Sequence, residues 1–262
     1  MTTIRCLIFT MLASAGVARA GVVIEMVERD TQTGKITPSQ RIYAQGGVGR
    51  MEGADGEITI VRGDSMLQID AAKKSYRVID KKAMEAMAAR MAEMRRQAEA
   101  RMAKMPPEQR AKMLQAFGDG KAKEWKVETL DTGKSDQVEG RACRVWQIKR
   151  QGVLDDELCL ISYSELPGKG DLQALFRNMA ALFDQMAQSM PQIGRSVGSE
   201  FRAQGKLDGF PIRTRGYTNG KLDREESLVK SWKEQAIPAS MFEPPAGYKR
   251  REATFGDDDE NE

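Results

Sequence analysis

Short segments of alternating hydrophobicity, cut apart by Gly-, Asp- and Lys-rich turns, are what most restricts this chain: they admit an antiparallel, β-rich fold and little else. Six such segments precede residue 81: Val22 to Glu28, Arg41 to Gln45, Val48 to Glu52, Glu57 to Arg62, Met66 to Asp70 and Ser75 to Asp80. Val22/Ile24/Met26 and Ile58/Ile60 show the period of two that leaves one sheet face dry and the other wet. At Lys81 the period lengthens to about three and a half. Met84, Met87, Met91, Met94, Ala98, Met102 and Met105 then form one stripe on a helix otherwise built of Ala, Glu, Arg and Lys. Pro106-Pro107 stops it, and Pro107 opens a second short helix reaching Phe117, so the helical insert spans 81–117.

Strand patterns return at Glu124 to Thr132, Ser135 to Glu139, Ala142 to Arg150 and Glu157 to Tyr163. A helix is expected from Asp171 to Met190, with Leu172, Leu175, Phe176, Met179, Leu182, Phe183, Met186 and Met190 on one broad face. Pro191 to Gln204 reads as a loop. Phe210 to Thr218 and Lys221 to Ser231 form a hairpin, because Asn219-Gly220 is the pair that a type I′ turn prefers. Ile237-Pro238 to Phe242 reads as a turn tucking Phe242 onto the sheet, and 251–262 as a disordered acidic tail. About a dozen strands and two helical insertions make an α+β chain. A sheet that is apolar on one face needs a cover, and the simplest architecture is one curved antiparallel sheet, an open half-barrel, wrapped around or lidded by the amphipathic helices. No linker-like stretch divides the strands, so 21–250 is read as one domain.

The first twenty residues describe an address. Arg5 precedes an apolar run from Cys6 to Val17, and Ala18-Arg19-Ala20 is a small-x-small cleavage triplet, as in a secretory signal peptide. Export to the periplasm follows as the expectation. It leaves Cys143 and Cys159 in an oxidising compartment, where two cysteines usually bridge. If the intervening hairpin turns around Gln151, the two stand directly opposite each other. A redox or metal pair is the alternative, but there is no CxxC spacing and no third ligand.

Composition removes much chemistry. The chain has 262 residues and no His, which excludes Ser-His-Asp and Cys-His nucleophile pairs, HExxH zinc sites and a histidine switch. We expect no enzyme and no cofactor. The 41 Lys+Arg against 38 Asp+Glu give a net charge of only +3, and no aromatic residues interleave with the basic runs, so nucleic acid is not an expected partner. Asp155-Asp156-Glu157 and the acidic run at 257–262 lack EF-hand spacing and read as solvated.

Three segments carry a family resemblance: "MLQIDAAKKSYRVIDKKAMEAM" (66–87), "MPPEQRAKM" (105–113), and "LDGFPIRTRGYTNGK" (207–221) running into "IPASMFEPPAGYK" (237–249). The chain resembles the exported bacterial proteins grouped as domain of unknown function 4412, which in turn look like the lipoprotein carriers LolA and LolB. That resemblance implies an open β-barrel around an apolar cavity lidded by helices, with a lipid or lipoprotein as partner. Its motifs are structural, and none is catalytic.

The candidate site is therefore a hydrophobic cavity; the alternatives are a Met-rich Cu(I)-binding protein or a purely structural envelope domain whose cavity is filled by its own side chains. Phe176, Met179, Phe183 and Met186 are expected at its mouth with strand residues Ile58, Ile60 and Phe210, and Met84, Met87 and Met91 alongside. Three roles stand open for the methionine stripe. It is apolar filler for an Ala-rich helix, an adaptable face for irregular ligands, or a Cu(I) site in which the thioethers of Met84, Met87, Met91 and Met94 converge. The same helix carries seven basic and three acidic residues between Lys81 and Lys104, which suits either a solvated face or peripheral contact with an anionic membrane.

Overall fold

A computed structural model describes residues 20–109, 126–189 and 207–253. The expected signal peptide, the continuation of the second short helix to Phe117, the loop 191–204 and the acidic run at 257–262 lie outside the described residues. Within them, twelve strands form one open sheet in the order β12-β6-β5-β4-β3-β2-β1-β11-β10-β9-β8-β7. The strands are β1 (Ala20–Asp30), β2 (Ile36–Gln45), β3 (Val48–Gly53), β4 (Ile58–Arg62), β5 (Ser65–Asp70), β6 (Ser75–Ile79), β7 (Val127–Val138), β8 (Arg141–Arg150), β9 (Val153–Ile161), β10 (Phe210–Thr218), β11 (Lys221–Ala236) and β12 (Lys249–Arg251). Every pairing is antiparallel except β12 with β6, and the long β1 and β11 join the two meanders through a register running from Ala20↔Ala236 to Asp30↔Glu225.

Turn chemistry explains the meander. Gly46-Gly47, Glu139-Gly140, Gln151-Gly152 and Asn219-Gly220 are two-residue connections with positive φ at both positions, the type I′ geometry whose twist matches the flanking strands. Two segments differ from expectation. The strands expected at Glu124 to Thr132 and Ser135 to Glu139 are one strand, β7, with a register shift between Asp131 and Ser135 where Gly133 has φ +69°. β2 begins at Ile36 because Pro38 is accommodated where the β1–β2 register shifts between Met26 and Val27.

Helix α1 (Lys81–Ala103) starts at Asp80, whose carboxylate accepts the Ala83 N–H at 2.8 Å, and ends three residues before Pro106. Helix α2 (Lys169–Ser189) lies on one face of the sheet, called here the helix side, with Leu172, Leu175 and Leu182 buried. The core on that side contains Val22, Ile24, Ala44, Val61, Val145, Ile161, Phe210 and Leu228. On the far side a second core is closed by the segment after β11. Phe242 and Ile237 are buried there against Val23, Tyr43, Ile60 and Leu67, as the Ile237-Pro238 turn implied. Arg50, buried beneath this strap, donates to Glu52 at 2.6 Å and to the Met241 carbonyl at 3.1 Å.

Cys143 and Cys159 form a disulfide with Cα atoms 5.4 Å apart, but the expected register was wrong. A shift between Ile148 and Lys149 places Val145, not Cys143, opposite Cys159, and the bridge runs diagonally between β8 and β9. The hairpin turns at Gln151-Gly152, and one extra residue enters where the ladder bulges.

Candidate functional site

The helix-side face divides along the strands into an aromatic zone, an aliphatic and disulfide zone, and a charged zone near the β10–β11 turn. Phe210 is 1% exposed and lies under Phe176 of α2, with ring centroids 5.7 Å apart, and beside Tyr163 at 6.5 Å in an edge-on arrangement. Burial, reinforced by Asp208, pushes the Tyr163 hydroxyl up to about 12, so it stays protonated. Trp232 belongs to the same core, and the Arg141 guanidinium stacks 4.1 Å from its ring although two strands separate β8 from β11. Val145, Leu228, Val27 and the disulfide form the next zone.

Of the residues expected at a cavity, Phe176, Met179, Phe183 and Phe210 do share this core. Ile58 and Ile60 do not. They are on the far side of β4 with Phe242 and Tyr43, because Val61, of opposite parity, is the β4 residue that faces the helix. Met186 packs with Met84, Met87, Leu182 and half-buried Met66 and Met91 where α1 crosses α2. The methionine stripe therefore splits. Met84 and Met87 are 0% and 7% exposed, Met91 is half-buried, and Met94 is 51% exposed, so the four expected as a Cu(I) set do not share one environment. Among the described residues no group of three or more His, Cys, Asp or Glu has metal-binding proximity.

Different contacts hold the two halves of α2. Its N-terminal half is pinned to the Gly46-Gly47 turn: the Asp171 carboxylate accepts the Gly46 N–H at 2.6 Å and the Asn178 amide donates to the Gly47 carbonyl at 2.8 Å. Just before the helix, the Gly168 N–H donates to Glu234 at 2.8 Å. Its C-terminal half packs Leu182 and Met186 against the methionines of α1 and keeps Phe183 on the helix-side core.

Sequence reasoning missed the charged zone. Arg213 and Glu226 are 4% and 3% exposed on the helix side. Glu226 accepts from Arg29 and from Arg215, each at 2.7 Å. Arg213 pairs with Asp136 at 2.8 Å and with Glu157 at 3.4 Å, and its Nε is buried without a hydrogen-bond partner, 3.9 Å from Glu226. Burial alone would raise the Glu226 carboxyl, but the Arg215 and Arg29 hydrogen bonds outweigh it and hold the group below its ordinary value. Asp136 is lowered by the Gln137 N–H first and then by Arg213. Held below their ordinary values, Glu226 and Asp136 are poor proton acceptors. Together with Glu157 and the three arginines they form a clasp tying β1, β7, β9, β10 and β11 together, and a polar end to the apolar face. The alternation of Arg213 and Arg215 with Thr214 and Gly216 reads as a wet strand face; a register shift between Pro211 and Arg213 is what turns Arg213 and Arg215 to the same side as Phe210 and Ile212.

On the far side, Asp156 is raised to about 6 by burial, then by neighbouring Asp155 and Asp223, with Arg150 opposing. A hollow of about 560 Å³ lies at the turns beside β4, β5 and β6, lined by residues including Glu57, Gln68, Tyr76, Arg77 and Arg251; of the expected cavity residues it contains only Ile58.

A family model described as "Domain of unknown function (DUF4412)" matches residues 62–248. Among solved structures, the chain is similar to an uncharacterized conserved protein from Thermus thermophilus, with 10% identity and a TM-score of 0.44 over 88% of this chain and 90% of that one. It is also similar to PNGF-II, with 10% identity and a TM-score of 0.39 over 90% of this chain and 31% of that one. No curated protein matches the sequence.

Proposed function

The chain belongs to the DUF4412 family, and from that premise we propose that it is an exported, non-enzymatic cell-envelope protein that holds an apolar chain, such as the acyl chain of a lipid or lipoprotein, against the helix-side face of a LolA-like half-barrel. The observation that carries this reading is the apolar face that α2 covers, where Phe176 and Phe183 share one core with Phe210 of the sheet. Part of that cover packs on methionines, which suits a helix that shifts to admit a ligand, since thioether packing re-forms in many arrangements. Displacing α2 outward would open the surface formed by Phe176, Phe183 and Phe210, and a ligand replacing those contacts would return the buried apolar area. The charged zone would stop the chain at the far end, because an alkyl tail cannot replace the hydrogen bonds among Arg213, Glu226 and Arg215. No helix among the described residues is long and apolar enough to cross a membrane.

The test is uptake of a fluorescent fatty acid by the purified protein. Saturable binding by the wild type, abolished in Phe183→Asp while circular dichroism still reports a folded sheet, is the expected result. Unchanged uptake in that variant would place the ligand elsewhere, and no uptake by the wild type would remove the reading.

A further inference from the structure

The methionine stripe of α1 continues well past the point where the helix leaves the body of the protein. Met84 and Met87 anchor it on Leu182 of α2, and Met91 is half-buried. From Ala92 to Arg101 every residue is exposed, a stretch about 15 Å long at 1.5 Å per residue. Met94 and Ala98 extend the apolar line along this arm, and Met94 at 51% is among the most exposed large apolar side chains of the described residues. At 100° per residue Arg90 and Arg101 flank that line on one side and Arg95 on the other. The acids sit farther round and are occupied within the helix: Glu93 with Arg96 and Gln97, Glu99 with Arg95.

We propose that this arm of α1 is a membrane-surface element, which lays Met94 and Ala98 among the headgroups of a bilayer rich in anionic phospholipid while Arg90 and Arg101 contact the phosphates. Charge decides the partner. A second copy pairing through the same stripe would bring the flanking arginines of one helix against those of the other, which disfavours self-association. An anionic surface meets the same arginines with complementary charge, and flexible Met suits the irregular headgroup boundary. The arm is separate from the helix-side face, so it would bring the protein to a bilayer without obstructing α2.

The experiment is vesicle co-sedimentation of the purified protein with phosphatidylcholine vesicles that contain or lack phosphatidylglycerol. Binding is expected only with phosphatidylglycerol and should weaken as salt rises. Each arginine near the surface contributes about 1 kcal/mol, so Arg90→Gln/Arg101→Gln should lower the affinity by about 30-fold. Met94→Asp should abolish binding, and because these side chains are exposed, circular dichroism should be unchanged. Phe183→Asp, which addresses the proposed ligand surface, should bind vesicles normally. Loss of vesicle binding in Phe183→Asp with retention in the arm variants would assign the lipid contact to the ligand surface and overturn the proposal. So would equal binding to both vesicle types, no binding to either, or a dimer by light scattering that Met94→Asp dissociates in the absence of vesicle binding.

Discussion

Gly49→Ala is the sharpest test of how α2 is seated, because backbone propensity and packing predict opposite signs. Gly49 is in β3 without a positive φ, so alanine fits its backbone, and the smaller unfolded-state entropy should stabilise the variant by about 0.4–1 kcal/mol. The structure predicts the reverse. A Cβ at Gly49 would sit 2.4 Å from both terminal carbons of Leu175 and 2.9 Å from its Cγ, and Leu175 is fully buried. Overpacking of that kind costs about 1–3 kcal/mol, so the net expectation is a destabilisation of about 1–2 kcal/mol. For a domain of this size that lowers Tm by about 2–8 °C. Leu175→Ala alone should cost about 2–5 kcal/mol through the cavity it leaves. In the double variant the new methyl group occupies part of that cavity, and the two effects should fall short of additivity by about 1–3 kcal/mol. Urea unfolding followed by circular dichroism on the four members of the cycle measures this. A stabilised Gly49→Ala, or additivity within about 0.5 kcal/mol, would refute the close approach of α2 to β3 and with it the cover geometry.

Two further outcomes concern stability. Replacing both Cys143 and Cys159 with alanine opens a loop of sequence separation 16 and should cost about 3 kcal/mol, read as a lower urea midpoint; an unchanged midpoint would mean that the bridge contributes nothing to stability. Asp156 has a folded-state pKa above its unfolded value, so its contribution favours folding at acid pH and is lost as pH rises from about 4 toward about 6. Asp156→Asn should therefore gain stability relative to wild type at pH 7.5 and not at pH 3.5, and an equal difference at both would show that the group titrates normally.

The open antiparallel sheet, the two long helices, the Asn219-Gly220 turn and the cysteine pair were all legible from residue order, because each depends on neighbours close in the chain: an alternation, a stripe, a turn dipeptide, a hairpin. The Glu139-Gly140 turn carries a weaker version of the same signal, and the hairpin around Gln151 was legible without its exact register. What the tertiary structure decided is which face each alternation presents, and the physical reason is the period of two. One inserted residue carries the following side chains to the other side of the sheet, and no local pattern shows where the insertion falls. Thus the shift between Ile148 and Lys149 moved the disulfide to a diagonal, and the shift before Arg213 turned two arginines inward onto Glu226 and Glu157. Ile58 and Ile60 alternate as cleanly as any core pair, yet they belong to the far side, because a sheet whose two faces are both covered offers two cores and the alternation does not say which. The methionine stripe is continuous in sequence but divided in space, since only the surface presented by α2 determines where burial of α1 stops.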